Sequence, residues 1–153
     1  MLTGVQATNL FAQSAETPTP LQRLRIMLLV AASRHAADEY RYTDALRYIE
    51  DAIRIAPDDA RLYVERGRRW MLVYEWDRGL ADFESALTLA PDDPQAIFYR
   101  GLLYASVPEG LEARRLAVVD FTRYLEIAPD GTHAVTAVRY LETLQAGIDA
   151  LTP

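Results

Sequence analysis

Histidines and paired carboxylates are the residues of this sequence with the chemistry for metal binding or acid–base catalysis. His35 and His133 lie far apart, and neither has further ligands at the spacing that a metal site requires. The pairs Asp58-Asp59 and Asp92-Asp93 each directly follow an Ala-Pro step. Carboxylates at helix starts accept hydrogen bonds from free backbone amides, which explains this recurrence better than catalysis does. Because the seven glycines are dispersed and form no phosphate-binding loop, we expect no enzyme activity, no cofactor and no metal site.

Arginine is the second residue type with binding chemistry, and five arginines gather in one stretch of the chain: Arg61, Arg66, Arg68, Arg69 and Arg78. Arg34 and Arg68 are separated by the same number of positions as the two acid pairs, and guanidinium groups hold carboxylates by paired hydrogen bonds. Arg66 and Arg100 are separated by the same interval. Their recurrence beside glycines favours a structural role, with the stem packed along a helix and the head in water or paired with an acid.

Composition limits the class of protein. The 153 residues suffice for one domain with a continuous core. A net charge of −6 opposes phosphate contacts, so we expect no nucleic-acid partner. The chain has no cysteine, which excludes disulfides and thiolate metal sites. The longest apolar run, 26–32, is too short to cross a bilayer, and residues 1–17 lack the features of a signal peptide, so we expect a cytoplasmic protein without a membrane partner.

A phrase that recurs three times indicates how the chain is built. Ala-Pro-Asp stands at 56–58, 90–92 and 128–130, and the second interval is longer than the first by four positions. A period of this size is typical of repeat proteins, whose units bury their apolar faces only by stacking. In each copy the proline ends one helix, and the acid that follows begins the next.

Apolar periodicity predicts two helices in each unit. In the second unit, one apolar face runs over 62–74 and another over 80–90, on either side of Trp76-Asp77. The third unit has four extra residues, which we place in a turn at 107–110. A last amphipathic stretch follows Gly131 and is expected to close the open end of the stack.

Seven positions recur in the units with the same spacing, apart from the four extra residues of the third. In the second unit they are Tyr63, Arg66, Gly67, Trp70, Gly79, Phe83 and Pro91. In the third they are Ile97, Arg100, Gly101, Tyr104, Ala117, Phe121 and Pro129, and in the first, more weakly, Leu29, Ala32, Ser33, Ala36, Ala45, Ile49 and Pro57. This pattern resembles that of the tetratricopeptide repeat family, Trp-x2-Leu-Gly-x2-Tyr followed by Ala-x3-Phe and Pro.

The resemblance implies an all-α fold, a right-handed superhelix of about three helix-turn-helix repeats plus a C-terminal capping helix, with seven helices in total. The polar residues of 1–17 predict a mobile N-terminal tail. The repeat domain is placed at 18–153, with repeats at 24–57, 58–91 and 92–129 and a capping helix at 132–150.

In this family the first helices of the units line a concave groove. By that resemblance, the residues expected to bind a partner in the groove are Arg34, Arg61, Val64, Arg68, Met71, Gln95, Phe98, Leu102 and Tyr140. Members that clamp a terminal carboxylate use lysine and asparagine at defined positions. Here Val30 replaces a lysine, and Arg34 and Arg68 stand where asparagines are expected, so that function is not carried over.

The resemblance implies a non-catalytic module that binds a protein or peptide, with an acidic segment favoured by the arginines. A self-associating scaffold, paired as a homodimer, is the alternative. Three repeats are close to the minimum for an independent stack, and an exposed apolar groove would favour pairing with a second copy. Work within a larger assembly also remains open.

Overall fold

The chain folds into seven consecutive helices in a computed structural model, which describes residues 17–107 and 110–150. They are α1 (Pro20–Asp38), α2 (Tyr42–Ile55), α3 (Ala60–Leu72), α4 (Trp76–Leu89), α5 (Pro94–Ser106), α6 (Leu111–Ile127) and α7 (Ala134–Asp149). The predicted all-α class and the seven helices are confirmed. The tail predicted at 1–17, apart from Thr17, lies outside the described residues, as does the middle of the turn predicted at 107–110.

Side-chain caps distinguish the first helix of each pair from the second. Thr19 and Gln22 form a capping box at the start of α1, while Asp59 and Asp93 accept hydrogen bonds from backbone amides at the starts of α3 and α5. In α2, α4 and α6 no side chain caps the first turn. Asp59 and Asp93 therefore begin the second and third repeats, as predicted, whereas Asp130 does not cap α7, whose N-cap is His133.

The stack is curved, with the odd-numbered helices on its inner side. Each pair packs closely, α1 on α2, α3 on α4 and α5 on α6, and α7 packs on α6. Contacts also join α1 to α3, α3 to α5 and α5 to α7, whereas within residues 17–107 and 110–150 no Cα atoms of α2, α4 and α6 lie within 8 Å of one another. Helices that converge on one side and diverge on the other produce a concave face made of α1, α3, α5 and α7.

Glycine permits the close approach of two helices within a pair. A Cβ atom on Gly67 would lie 2.7 Å from Cε1 of Phe83, and one on Gly101 would lie 3.3 Å from Cε1 of Phe121. Both phenylalanines are fully buried. At the same position in the first unit, the buried hydroxyl of Ser33 donates a hydrogen bond of 2.8 Å to the carbonyl of Ala45. The repeated glycines therefore make room for the aromatic rings that fill the core.

The paired arginines of the second and third units hold the two helices of each unit together. Arg66 binds Asp82 through Nε and Nη2, at 2.9 and 2.7 Å, and Arg100 binds Asp120 at the same two distances. Both aspartates are buried. These arginines therefore have the expected structural role.

None of the helices among the described residues is both long enough and apolar enough to cross a membrane.

Candidate functional site

Seven of the nine expected groove residues keep some exposed surface, and two do not. Arg34, Arg61 and Gln95 are exposed, and Arg68, Met71, Leu102 and Tyr140 are half-buried. Val64 and Phe98 are buried, the first in the core between α3 and α5 and the second beneath His133. These two side chains pack the stack and offer no surface to a partner.

Other expected groove residues are engaged within the fold. Arg61 binds Asp59, its own helix cap, through Nε and Nη2 at 2.9 and 2.7 Å. Tyr140 stacks on Phe121, with ring centroids 5.2 Å apart. Oε1 of Gln95 lies 3.3 Å from Nε2 of His133. Arg34 and Arg68 are not engaged by an acid of their own helix cap, and both line a hollow of the concave face.

A single carboxylate organises these arginines. Glu65, on α3, accepts hydrogen bonds from Nη2 of Arg34 on α1, from Nη1 of Arg68 at 3.3 Å and from Nη2 of Arg69 at 3.0 Å. We call these four residues the Glu65 cluster. Arg34 keeps 59% of its side chain exposed, whereas Glu65 and Arg69 are buried. Three positive charges thus face one negative charge, and the excess is directed toward solvent.

Burial and the neighbouring positive charges have opposite effects on the pKa of Glu65. Burial alone would raise the pKa of Glu65, but the hydrogen bond from Arg34 and the charges of Arg68 and Arg69 outweigh it and hold the pKa below its usual value. Burial lowers the pKa of Arg69, and the charges of Arg68 and Arg34 lower it further. Glu65 therefore stays ionised near neutral pH, while Arg69 is held at an electrostatic cost.

An aromatic surface continues the groove beyond the Glu65 cluster. The guanidinium carbon of Arg68 lies 4.6 Å from the ring centroid of Tyr99 on α5. Tyr99 meets His133 edge to face at 5.5 Å, and His133 stacks on Phe98 at 4.1 Å with the rings 9° from parallel. Burial, followed by the charge of Arg68, lowers the pKa of His133, so its ring is neutral at physiological pH.

Two hollows adjoin the Glu65 cluster. The first, which we call the arginine pocket, has a volume of about 500 Å³ and is lined mainly by Arg34, Arg68, Arg69, Tyr40, Tyr42 and Leu72. The second, which we call the apolar pocket for its aliphatic side chains, has a volume of about 310 Å³ and is lined by Ile26, Met27, Val30, Ala31 and Leu62 together with Arg34, Asp59, Arg61 and Glu65. Arg34 lines both hollows.

The sequence reasoning did not identify Glu65 or Tyr99 as groove residues and did not separate Arg69 from the other arginines. A signal was present, because Glu65, Arg68 and Arg69 have the spacing at which helical side chains of opposite charge meet. No comparable signal marks Tyr99, whose contact with Arg68 joins two different helices. Among the described residues, no group of histidines and carboxylates is arranged to hold a metal ion.

The sequence matches no protein-family model and no curated protein. Solved structures do match. The chain is similar to the Sgt2 TPR domain from Aspergillus fumigatus, with a TM-score of 0.71 and 21% identity over 87% of this chain and 82% of that one. It is also similar to the first TPR of Spaghetti (RPAP3) bound to the HSP90 peptide SRMEEVD, with a TM-score of 0.71 and 17% identity over 82% and 94% of the two chains.

A bacterial protein shares the same architecture. The translocator chaperone SycD of Yersinia enterocolitica matches with a TM-score of 0.70 and 11% identity, over 81% of this chain and 86% of that one. These likenesses define the chain as a helical repeat protein with a concave face. Its fold is that of tetratricopeptide repeat domains, as the seven recurring positions predicted.

Proposed function

We propose that the protein is a non-catalytic interaction module whose concave face binds an acidic segment of another protein. The observation that carries this proposal is the Glu65 cluster, where three arginines share one carboxylate in a chain whose net charge is −6. Arg34 and Arg68 each use one nitrogen on Glu65. Their other N–H groups have the geometry to bind a carboxylate of the partner.

Proteins of the same fold support this proposal. The first TPR of RPAP3 was solved with the HSP90 peptide SRMEEVD, which is acidic, and PcrH was solved with the chaperone binding region of PopD. In the present chain the apolar pocket lies beside Arg34, and Met27 on its rim is largely exposed. An acidic side chain on the arginines and an apolar side chain in this pocket would anchor one segment at two neighbouring places.

Selection from a library of random peptides displayed on phage tests the proposal, with Arg34→Gln/Arg68→Gln as the groove variant. Glutamine is preferred to glutamate because charge reversal would place like charges against Glu65. The wild-type protein is expected to enrich peptides that combine acidic and apolar residues. The groove variant should bind the enriched peptides at least about tenfold more weakly, measured by fluorescence anisotropy, because it loses two charge-assisted contacts.

Arg47→Gln/Arg54→Gln is the matched control for that experiment. Both arginines lie on α2, outside the concave face, and each pairs with an acid of its own helix, as Arg68 does. The control removes the same charge as the groove variant and is expected to bind as the wild type does. Equal losses in the two variants, or enrichment of peptides without acidic residues, would contradict an acidic segment in the groove.

Self-association is a second candidate, because α1 carries an exposed apolar stripe. Leu21, Leu24 and Leu28 recur at helical spacing, and Leu21 and Leu28 are 76% and 62% exposed. Sedimentation velocity over a range of concentrations tests a homodimer through this stripe. The expected result is a sedimentation coefficient that rises with concentration in the wild type and stays at the monomer value in Leu24→Glu/Leu28→Glu. A wild-type protein that is monomeric throughout would remove this candidate.

A further inference from the structure

Arg69 occupies a position that belongs to the apolar core in the neighbouring unit. One repeat later, the equivalent residue is Leu103 on α5, which is 2% exposed and packs in the apolar core against neighbouring helices. The side chain of Arg69 is 5% exposed. A guanidinium group at a core position loses its hydration, which hydrogen-bond partners must replace. A charged residue where the repeat pattern places an apolar one is the kind of exception that is expected at functional sites.

The partners of Arg69 replace that hydration only in part. Its Nη2 donates to Oε2 of Glu65, but no acceptor within 17–107 and 110–150 reaches its buried Nε. Glu65 is already shared with Arg34 and Arg68. One carboxylate therefore serves three guanidinium groups, and the most deeply buried of them is the least well satisfied.

The arginine pocket borders Arg69, whose Nε is itself buried. Arg34, Arg68 and Arg69 all line it. Tyr42, at the start of α2, lines it too, and no side chain caps that helix end, whose backbone amides favour an anion. Asp38 is the one acidic residue of the lining. It is exposed and makes no ion pair among the described residues, so solvent screens its charge more than that of the buried groups.

We propose that the arginine pocket binds the phosphate of a phosphorylated side chain in the partner segment, an inference that rests on the proposed function. A phosphate monoester carries close to two negative charges and three acceptor oxygens at neutral pH, whereas a carboxylate carries one charge and two oxygens. Glu65 neutralises one of the three arginines of its cluster, and the exposed Asp38 lowers the charge at the rim of the pocket further, so an excess of positive charge remains for the ligand. Guanidinium groups bind phosphate oxygens in a bidentate manner, and a phosphate supplies acceptors for several of them together.

The third repeat has no arginine at the positions equivalent to Arg68 and Arg69. Leu102 and Leu103 stand there in place of Arg68 and Arg69. A segment that lies along the groove would therefore meet one phosphate site only, which fixes its register on the protein.

Short degenerate peptides with one fixed central residue test the proposal with the 153-residue chain. Fluorescein-labelled pools centred on phosphoserine, glutamate or serine are titrated by fluorescence anisotropy, and free phosphoserine is titrated as a competitor. The phosphoserine pool is expected to bind about tenfold more tightly than the glutamate pool, the effect of one additional charge-assisted hydrogen bond. In Arg69→Leu this difference is expected to disappear, while the preference for glutamate over serine remains.

Arg69→Leu should fold, because leucine is the residue found at the equivalent core position, and Arg69→Lys is a second variant that keeps the charge but loses the planar group. A phosphoserine pool that binds no better than the glutamate pool overturns the phosphate site and leaves the acidic groove intact. A phosphate preference that survives in both Arg69 variants also overturns it. Free phosphoserine that binds as tightly as the pool would assign the pocket to a small phosphate instead. Loss of the preference for glutamate over serine in the wild type would contradict the proposed function itself.

Discussion

Replacing Phe83 with alanine is expected to lower the free energy of unfolding by about 3–5 kcal/mol. Phe83 is fully buried on α4, and its ring lies against the backbone of Gly67 on α3, where no side chain separates the two helices. The same ring stacks on Tyr99 of the next unit, with centroids 6.4 Å apart. Truncation would therefore leave a cavity that spans the contact within one pair and the contact between two pairs.

Urea denaturation followed by circular dichroism measures this loss. Val119→Ala is the control, since Val119 is exposed on α6 and its truncation is expected to change stability by no more than about 0.5 kcal/mol. A loss below about 1 kcal/mol for Phe83→Ala would show that the stack does not depend on this ring, and the assignment of the second repeat would then fail.

The fold was predictable because its determinants are local and repeated. Pro57, Pro91 and Pro129 each end a pair, and Gly67 and Gly101 mark its closest approach. Each of these residues acts on the backbone within one or two turns, so its effect can be read from spacing alone. Three copies in phase then exclude most other arrangements of the same helices.

The groove was less predictable because a helix rotates by about 100° per residue. Val64 and Phe98 were expected on the concave face, yet the structure buries both. The next residue along each helix, Glu65 and Tyr99, makes the contacts that shape the groove. A shift of one position turns the side chain by about 100° around the helix axis and here exchanges an aliphatic side chain, Val64, for a carboxylate, Glu65.

The sharing of one carboxylate by three arginines was beyond prediction for a different reason. Glu65 and Arg34 lie on different helices, and their contact depends on how α1 and α3 pack. Sequence spacing describes neighbours on one helix and carries no information about such crossings. Binding specificity in this fold therefore depends on contacts between side chains of different helices, which a repeat pattern does not describe.

Replacing Glu65 with glutamine is expected to lower the free energy of unfolding by about 3 kcal/mol at pH 7, because it leaves the buried Arg69 beside two other cations without a counter-charge. The pH dependence should change as well. Since the folded state holds the pKa of Glu65 below its ordinary value of 4.5, this carboxylate stabilises the protein above that pH. That contribution is lost as the pH falls through the lowered pKa, so the difference between wild type and Glu65→Gln should shrink in acid.

Urea denaturation at pH 7 and at a series of lower pH values measures both effects, with Glu142→Gln as the control. Glu142 is exposed on α7 and makes no ion pair among the described residues, so its replacement should leave the stability unchanged. Adding Arg69→Leu to Glu65→Gln should restore a large part of the lost stability, because it removes the cation that can least reach water and supplies the residue found at Leu103. A double variant as unstable as Glu65→Gln alone would show that Arg69 is not the origin of the cost, and the argument for an unsatisfied guanidinium in the arginine pocket would lose its basis.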